Sequence, residues 1–276
     1  MLENEFFKNK VVFITGSSRG IGKAAALLFG EHGARVCING RNTEYLEETR
    51  RELEANSVTC LSVPGDVSDS EQCRAMIDAV IAEFGRIDVL INNAGITSHG
   101  RFGDQTIDVW KQSVGINLMG AVYMSSYALP YMIESKGSII FVSTLAGKLG
   151  LPGHSTYSAS KMGLSALAQS MQVELEEKGV HTGIIYVGFT ENEGRKKVLY
   201  PDGIYRKIAD RNRREARRED VAGEILRMAY ERKKQITLSM VGRLQAAGIR
   251  FFPFIIGIVL RKANRDYDTM YNSPDS

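Results

Sequence analysis

Residues 155–161 (STYSASK) contain two side chains that together could transfer protons. Tyr157 and Lys161 are four positions apart, about one helical turn, so in a helix both side chains leave the same face. A free phenol is a poor acid at neutral pH, but a neighbouring cation stabilises the phenolate and lowers the phenol pKa. The pair therefore predicts proton exchange with an alcohol or a ketone. Taken alone, the same spacing also fits a half-buried Tyr beside a solvated Lys.

A second group of residues that could bind a ligand is the sequence TGSSRGIG at 15–22. It follows a β-branched run at 10–15, predicted as a buried strand, and precedes a helical pattern that ends near Gly33. Such a glycine turn lets the backbone approach a diphosphate, and the free N–H groups at the helix N-terminus hold the anion. The spacing differs from the common dinucleotide fingerprint and from the P-loop, and a purely structural turn is the alternative.

The segments that must position these residues alternate between strand and helix. Further strands are predicted at 34–39, 58–63, 88–92, 138–143, 180–187 and 235–239, and further helices at 43–55, 68–84, 106–134, from 155 to about 178, and 220–232. Such an alternation forms right-handed crossovers and a parallel sheet, which binds ligands at the carboxyl ends of its strands. We expect a single α/β domain, a doubly wound Rossmann-type parallel sheet of about seven strands with helices on both faces.

The composition is that of an ordinary globular protein. Of the 276 residues 43% are hydrophobic and 24% are charged, and the net charge of +3 is too small to argue for a nucleic-acid partner. Residues 1–10 have neither the basic flank nor the apolar run of a signal peptide, so we expect no export. Cys37, Cys60 and Cys73 have no metal-binding spacing, and we interpret them as reduced packing residues of a cytoplasmic protein without a metal site.

Polar residues at the strand ends predict how a dinucleotide would be held. An enzyme that prefers NAD usually has an acidic residue after the second strand, whereas this chain has NGRN at 39–42. Arg41, together with Arg19 in the glycine turn, favours the 2′-phosphate of NADP(H) over NAD. Asp66 follows the third strand and either accepts a hydrogen bond from adenine or caps the next helix. The NNAG sequence at 92–95 is either a ligand-facing turn or only a turn.

In order and spacing, these motifs resemble the classical short-chain dehydrogenase/reductase family over about residues 8–188. The resemblance implies hydride transfer between a nicotinamide and a carbonyl or secondary alcohol. It also implies that Tyr157 is the acid/base, that Lys161 holds the nicotinamide ribose and that Asn117 positions a proton-relay water. A helix-bending role is the alternative for Asn117, because a buried amide is costly without partners. The residues expected to hold NADP(H) are Gly16, Ser18, Arg19, Gly20, Ile21, Gly22, Arg41, Asn42, Asp66, Val67, Asn93, Ala94, Gly95, Tyr157, Lys161, Gly188 and Thr190.

Two positions depart from the family's pattern. The family's catalytic Ser usually lies thirteen positions before the Tyr, where this chain has Thr144, preceded by Ser143. Neighbouring positions on a strand face opposite sides, so only one of these hydroxyls should reach the site, and we predict that it is Thr144. After the sixth strand the family usually has Pro-Gly, and this chain has VGFT at 187–190. We expect Gly188 and Thr190 to contact the carboxamide end of the cofactor.

The resemblance fades after Gly188, in the region that usually decides the substrate. Residues 190–218 are highly charged, and we predict a helical lid within a dinucleotide-binding domain at 1–240. Their cations could attract an anionic thioester such as an acyl-CoA, or they could form a solvated helix face. Residues 241–276 form an apolar and basic extension whose apolar run at 251–260 is too short to span a bilayer. This extension either lies in a membrane interface through 241–262 or packs on its own domain or on a partner subunit.

The function predicted from these observations is an NADP(H)-dependent reductase of a hydrophobic ketone or a 3-oxoacyl or lipid compound. The C-terminal pattern resembles long-tailed members of the family such as the 3-ketosphinganine reductase type. One alternative is an alcohol dehydrogenase of the hydroxysteroid type that runs in the oxidative direction. The other is a non-catalytic NADP-binding sensor or assembly protein on the same scaffold. By family analogy we expect a homodimer or a homotetramer.

Overall fold

The computed structural model describes residues 5–191, 197–207, 215–238, 248 and 253–271 of the chain. Within them, ten strands are present: β1 (Val11–Ile14), β2 (Arg35–Ile38), β3 (Cys60–Ser62), β4 (Val89–Asn92), β5 (Thr97–Ser98), β6 (Ser138–Thr144), β7 (His181–Val187), β8 (Lys197–Leu199), β9 (Tyr205–Lys207) and β10 (Gln235–Thr237). Seven of them form one sheet in the order β10-β7-β6-β4-β1-β2-β3. Every pairing in this sheet is parallel, which confirms the predicted doubly wound sheet.

Helices connect these strands and cover both faces of the sheet. The described helices are α1 (Gly20–Glu31), α2 (Thr43–Ala55), α3 (Ser70–Phe84), α4 (Ile107–Val114), α5 (Gly120–Ser135), α6 (Ser155–Glu174), α7 (Arg218–Glu231) and α8 (Pro253–Tyr271). Apolar side chains of α1, α2 and α7 pack on one face, and those of α3, α5 and α6 pack on the other. Most predicted element ends shift by one or two residues, and α6 ends earlier than predicted.

The strand β6 illustrates why the middle of these strands is a continuous apolar run. Its residues Ile140 and Val142 pack with the α1 and α7 side of the core, whereas Ile139 and Phe141 pack with the α5 and α6 side. A strand that is buried on both faces needs apolar side chains in both directions, so it reads as a continuous apolar run. The sheet is thereby a rigid base whose strand ends carry the polar residues.

The segment predicted as a helical lid is not helical in the part that the structure describes. Residues 197–207 form β8 and β9, which are antiparallel to each other, and β8 pairs in parallel with β5. The turn between them has the sequence Pro201-Asp202-Gly203, in which the Asp202 carboxylate accepts a hydrogen bond from the Ile204 N–H (3.0 Å) and Gly203 adopts a φ of +80°. This turn chemistry outweighs the charge pattern that favoured a helix. Residues 192–196 and 208–214 of the predicted lid lie outside the described residues.

The C-terminal helix α8 lies beyond the last strand of the sheet. The Arg101 guanidinium joins it to the domain by donating to the Asn264 side-chain oxygen (3.0 Å) and to the Asn264 carbonyl (3.3 Å). Within the described part of the chain, no helix combines the length and the apolar character that crossing a membrane requires. Residues 241–247 of the predicted extension lie outside the described residues.

His181 links three strands at the amino end of β7. Its Nδ1 lies 3.2 Å from the Ser138 hydroxyl of β6, and its Nε2 lies 3.0 Å from the carbonyl of Lys233, shortly before β10. Since a carbonyl only accepts, Nε2 carries the proton and Nδ1 accepts from Ser138. Burial lowers the pKa of His181 to about 4, so the imidazole is neutral in the folded protein at physiological pH.

This burial predicts that acid destabilises the fold through His181. Between pH 7 and pH 5 the unfolded chain binds a proton at this His and the folded chain does not, so the free energy of unfolding should fall by about 2 kcal/mol from this residue. Urea unfolding at pH 7 and pH 5 measures this fall in the free energy of unfolding. The fall should be smaller for the His181→Gln variant than for the wild type, because the Gln side chain does not titrate. Equal pH dependence in the two proteins would contradict the prediction.

Candidate active site

The glycine turn after β1 forms an open cradle at the start of α1. Gly16 has a φ of +63°, and a Cβ atom there would come within 2.8 Å of the Ala94 Cα, so only glycine fits. Gly20, the first residue of α1, has a φ of +61°, and its Cβ position has no other atom within 4 Å. Open space in front of helix N–H groups fits a diphosphate, which needs close backbone approach and hydrogen-bond donors.

Hydrogen bonds from the NNAG segment hold this cradle in place. The Asn93 and Ala94 N–H groups both donate to the Thr15 hydroxyl at 3.0 Å. The Asn93 side-chain amide donates to the carbonyls of Thr15 and Gly16 at 2.9 Å. The end of β4 is thereby fastened to the end of β1, which is a structural task that the sequence analysis did not foresee for Asn93.

Asn39, at the end of β2, joins the cradle to the end of β3. It is 1% exposed, and its side-chain oxygen accepts from the Gly16 N–H at 3.3 Å. Its amide group donates to the carbonyls of Val63 and Gly65 at 3.1 Å. A carboxylate has no proton to donate to these carbonyls, so the absence of an acidic residue here has a structural reason. Sequence reasoning noted only that the acid was missing.

Arg41 and Asp66 form an ion pair in the wall of the cavity, with 3.3 Å between Nη1 and Oδ2. Asp66 also accepts from the Ser68 N–H (2.9 Å) and hydroxyl (2.8 Å). Burial raises the pKa of the Asp66 carboxyl, but the bonds from Ser68 and the Arg41 charge outweigh burial, and the pKa lies below its ordinary value. The cap of the next helix is Asp69 rather than Asp66, which faces the cavity instead.

Asn117 lies in a π-helical turn, Gly115–Met119, between α4 and α5. Its side-chain oxygen accepts from the Ile96 N–H at 2.7 Å, and its amide donates to the Ile96 carbonyl and to the Ser160 hydroxyl at 3.0 Å. The buried amide therefore has partners on both sides, and it joins the segment after β4 to α6. An irregular turn of this kind is frequent at functional sites.

Tyr157 and Lys161 lie on the first turns of α6, as the spacing predicted. Tyr157 is half-buried and borders the cavity, whereas Lys161 is only 5% exposed. The Lys161 ammonium donates to the Val142 carbonyl at 3.1 Å. Gly95 makes room for this ammonium, because a Cβ at that position would lie 3.3 Å from Nζ. A Lys is almost never buried unless it is paired, and Lys161 borders the same cavity as the Tyr157 phenol.

Ser143 and Thr144 both border the cavity at the end of β6, but their hydroxyls differ in exposure. The Ser143 hydroxyl lies 2.5 Å from the Cβ position of Gly147, and it is buried without a hydrogen-bond partner among the described residues. Thr144 is half-buried and retains access to the cavity. The alternation of side chains along a strand accounts for the difference.

All these groups meet in one cavity of about 560 Å³. The predicted residues that border it are Gly16, Ser18, Arg19, Gly20, Ile21, Arg41, Asn42, Asp66, Val67, Asn93, Ala94, Gly95, Thr144, Tyr157, Lys161, Gly188 and Thr190. Gly22 and Asn117 lie behind this wall, where Gly22 allows the Gly16 carbonyl and the Asn93 amide to approach. The residues of the wall that sequence reasoning missed include Tyr45, Ile96, Thr97, Ile116, Glu191, Lys197, Tyr205 and Arg218.

Asn42 both borders the cavity and caps α2, because its side-chain oxygen accepts from the Tyr45 N–H at 2.8 Å. The missed residues Lys197 and Tyr205 lie on β8 and β9, and Thr97 lies on β5. The small sheet thus forms a wall of the cavity at the end away from Arg41. Only the tertiary structure brings these residues to the site, because their own sequence carries no binding motif.

The family model described as short chain dehydrogenase matches residues 10–200. The chain belongs to the short-chain dehydrogenase family. This dehydrogenase is therefore an oxidoreductase that acts on CH–OH or carbonyl groups with a nicotinamide dinucleotide. Solved structures similar to the chain are complexes with NADP or with NAD.

Individual relatives resemble most of the chain. Dehydrogenase/reductase SDR family member 7B of Mus musculus is 32% identical over 240 residues, which are 85% of this chain and 74% of that protein. The 3-ketodihydrosphingosine reductase of Bos taurus is 32% identical over 228 residues, 80% of this chain and 68% of that protein. A metagenomic short-chain oxidoreductase, solved in complex with NADP, is 28% identical with a TM-score of 0.70, covering 84% of this chain and 97% of that one.

The two adjacent hydroxyls of this dehydrogenase predict opposite results for two single substitutions. Thr144→Val keeps the shape and removes the hydroxyl that could stabilise a developing alkoxide, so kcat should fall about 10²-fold. Ser143→Ala removes a buried hydroxyl without a described partner, so kcat should stay within about twofold of wild type. Steady-state kinetics with one ketone and NADPH would check both, and a reversed order would assign the role to Ser143.

Proposed function

We propose that this dehydrogenase is an NADP(H)-dependent reductase of a hydrophobic ketone, such as a 3-oxoacyl or other lipid-like compound. The observation that carries the proposal is the cavity itself, which runs from the glycine cradle to the half-buried Tyr157 beside the buried Lys161. A bound nicotinamide dinucleotide supplies the hydride for carbonyl reduction. Gly16, Gly20 and the N-terminus of α1 would hold its diphosphate.

In this proposal the chain's own side chains handle the proton and the developing charge. The Thr144 hydroxyl and the Tyr157 phenol donate hydrogen bonds to the carbonyl oxygen of the substrate, which gains negative charge as it is reduced. Tyr157 then gives its proton to that oxygen. The Lys161 ammonium stabilises the resulting phenolate, because a neighbouring cation favours the charged form of an acid. Asn117 keeps α6 and the segment after β4 in register for these contacts.

The apolar residues of the wall support a substrate with a substantial apolar part. Ile96, Ile116 and Tyr205 border the cavity, and Phe189, between the lining residues Gly188 and Thr190, is 48% exposed. An exposed aromatic ring next to a site is suited to contact an apolar ligand. The similarity to the bovine 3-ketodihydrosphingosine reductase, a protein named for a lipid ketone, supports the same substrate class.

The proposed preference for NADP(H) rests on two arginines of the cavity wall. Arg41 and Arg19 border the cavity, and the Arg41 side chain is 53% exposed and therefore accessible to a ligand. A guanidinium offers several donors in a fixed plane, which matches a phosphate group. Asp66 holds the Arg41 guanidinium before the ligand arrives, so less side-chain entropy is lost on binding.

The proposal includes a cytoplasmic homodimer or homotetramer that assembles through α5 and α6. In support, α6 exposes Met162, a large apolar residue that is 44% accessible in the single chain. The cysteines Cys37, Cys60 and Cys73 are free thiols, buried or half-buried, and burial raises the pKa of Cys60 and Cys73 to about 12. Unpaired thiols are typical of a reducing compartment.

Removing the phenol hydroxyl should separate catalysis from binding. Tyr157→Phe should reduce turnover of a ketone with NADPH by about 10³-fold, because the proton donor is lost. The affinity for NADPH, measured by the fluorescence of the bound cofactor, should change little. Tyr131→Phe on α5, outside the cavity, is the matched control and should retain turnover. A Tyr157→Phe enzyme with near wild-type turnover would refute this role of Tyr157.

Removing the Arg41 charge should change the choice between the two cofactors. Arg41→Ala should weaken NADPH binding by about 10- to 100-fold, which is the range expected for a lost hydrogen bond to a charged group. NADH lacks the 2′-phosphate, so its affinity should change much less. Arg51→Ala, on the exposed face of α2, is the matched control. Equal losses for NADPH and NADH would contradict phosphate recognition by Arg41.

A further inference from the structure

The C-terminal helix α8 exposes an unusual set of apolar side chains. Ile256 and Leu260 are partly covered, whereas the exposed fractions of Phe254, Ile255, Ile258 and Val259 are 76%, 54%, 48% and 56%. A helix that packs only on its own domain turns its apolar face inward and its polar face to water. The first two turns of α8 are apolar on both faces, so the outer face needs a partner other than water.

Further large apolar side chains are exposed on the loop that follows Arg101 and on the β8–β9 turn, whose next residue Tyr205 borders the cavity. Arg101, which binds α8 through Asn264, is followed by Phe102, whose side chain is 73% exposed. Ile107, nearby in the chain, is 69% exposed, and Ile204 in the β8–β9 turn is 56% exposed. The Thr106 N–H donates to the Pro201 carbonyl at 3.5 Å, so these two loops lie together.

The charged residues next to the apolar turns of α8 are basic, and two acidic residues, Asp266 and Asp268, follow them near the end of the helix. Residues 239–265 contain five basic residues and no acidic residue. Three of the basic residues, Arg261, Lys262 and Arg265, lie on α8 directly after its apolar turns, and all three are exposed. Cations that flank an exposed apolar surface are the arrangement that binds anionic lipid headgroups while apolar side chains enter the interface.

We propose that the outer face of α8 docks on the surface of a membrane that contains anionic lipids. Phe254, Ile255, Ile258 and Val259 enter the interface, and Arg261, Lys262 and Arg265 bind the lipid phosphates. The apolar part, residues 253–260, is about 12 Å long as a helix, compared with about 30 Å of hydrocarbon, so α8 lies on the membrane and does not cross it.

Charge complementarity favours a lipid surface over a second copy of this chain. In a two-fold symmetric contact, the same patch meets itself. Residues 239–268 carry five cations and two anions, so a self-contact would bring an excess of like charge together, whereas anionic headgroups neutralise this excess. Delivery of a lipid-like ketone from the membrane to the cavity rests on the proposed function, but the docking does not.

Co-sedimentation of the full-length protein with lipid vesicles tests the docking without any turnover. Vesicles of phosphatidylcholine with phosphatidylglycerol should pellet the protein, and vesicles of phosphatidylcholine alone should pellet much less. The double variant Phe254→Ser/Ile258→Ser should weaken binding by at least about tenfold, and Arg261→Ser/Lys262→Ser should weaken it only on anionic vesicles. Val173→Ser, an exposed apolar residue on α6, is the matched control and should bind like wild type.

Three outcomes would overturn the proposal. They are no binding of the wild type to either kind of vesicle, equal binding to both kinds, and full binding by the Phe254→Ser/Ile258→Ser variant. Light scattering during gel filtration tests the alternative that α8 contacts a second copy of this chain. In that case the assembly of the Phe254→Ser/Ile258→Ser variant would contain fewer subunits than that of the wild type. Circular dichroism and NADPH turnover with a small water-soluble ketone establish that the variants are folded. Failure of turnover in all proteins, with docking intact, would refute the proposed function alone.

Discussion

The joint between the ends of β1 and β4 is the contact on which the site depends. Two backbone N–H groups, of Asn93 and Ala94, share the Thr15 hydroxyl, and the Asn93 amide binds the two carbonyls that begin the glycine turn. A turn with left-handed glycines has little stiffness of its own. The joint holds it open, so the N-terminus of α1 faces empty space that an anion can fill.

The same short segment also joins the glycine turn to α6, the helix that carries Tyr157 and Lys161. One side of the segment holds the cradle, and Ile96 on its other side exchanges hydrogen bonds with Asn117, which in turn binds Ser160 on α6. Gly95 lies between these contacts, and a Cβ there would crowd the Asn117 side-chain oxygen at 3.1 Å and the Lys161 ammonium at 3.3 Å. A buried ammonium needs defined partners, so the polar framework around it must keep its geometry. The glycine turn and the helix α6 are thus joined by one network of hydrogen bonds.

Most of the sheet and much of the site could be predicted because the relevant patterns are local. Apolar runs and helical periods predicted the strands and helices, and strand alternation predicted that the hydroxyls of Ser143 and Thr144 differ in their access to the cavity. The role of Asn39 could not be predicted, since its partners at 63 and 65 come close only in the fold. Residues 197–207 were predicted wrongly as helix. Their charges indicated a helical face, while the turn at 201–203 and pairing with β5, about a hundred residues earlier, decided for strands.

The β8–β9 hairpin is attached to the framework in a way that separates two kinds of change. It pairs with β5 and also contacts Thr106 and the α4 residue Gln112, whereas the joint belongs to the ends of β1 and β4. Substitutions in the hairpin therefore reach the cavity wall through Lys197 and Tyr205 without removing a hydrogen bond of the joint. Residues 197–207 are thus a part of the wall that can change in sequence while the glycine turn keeps its support.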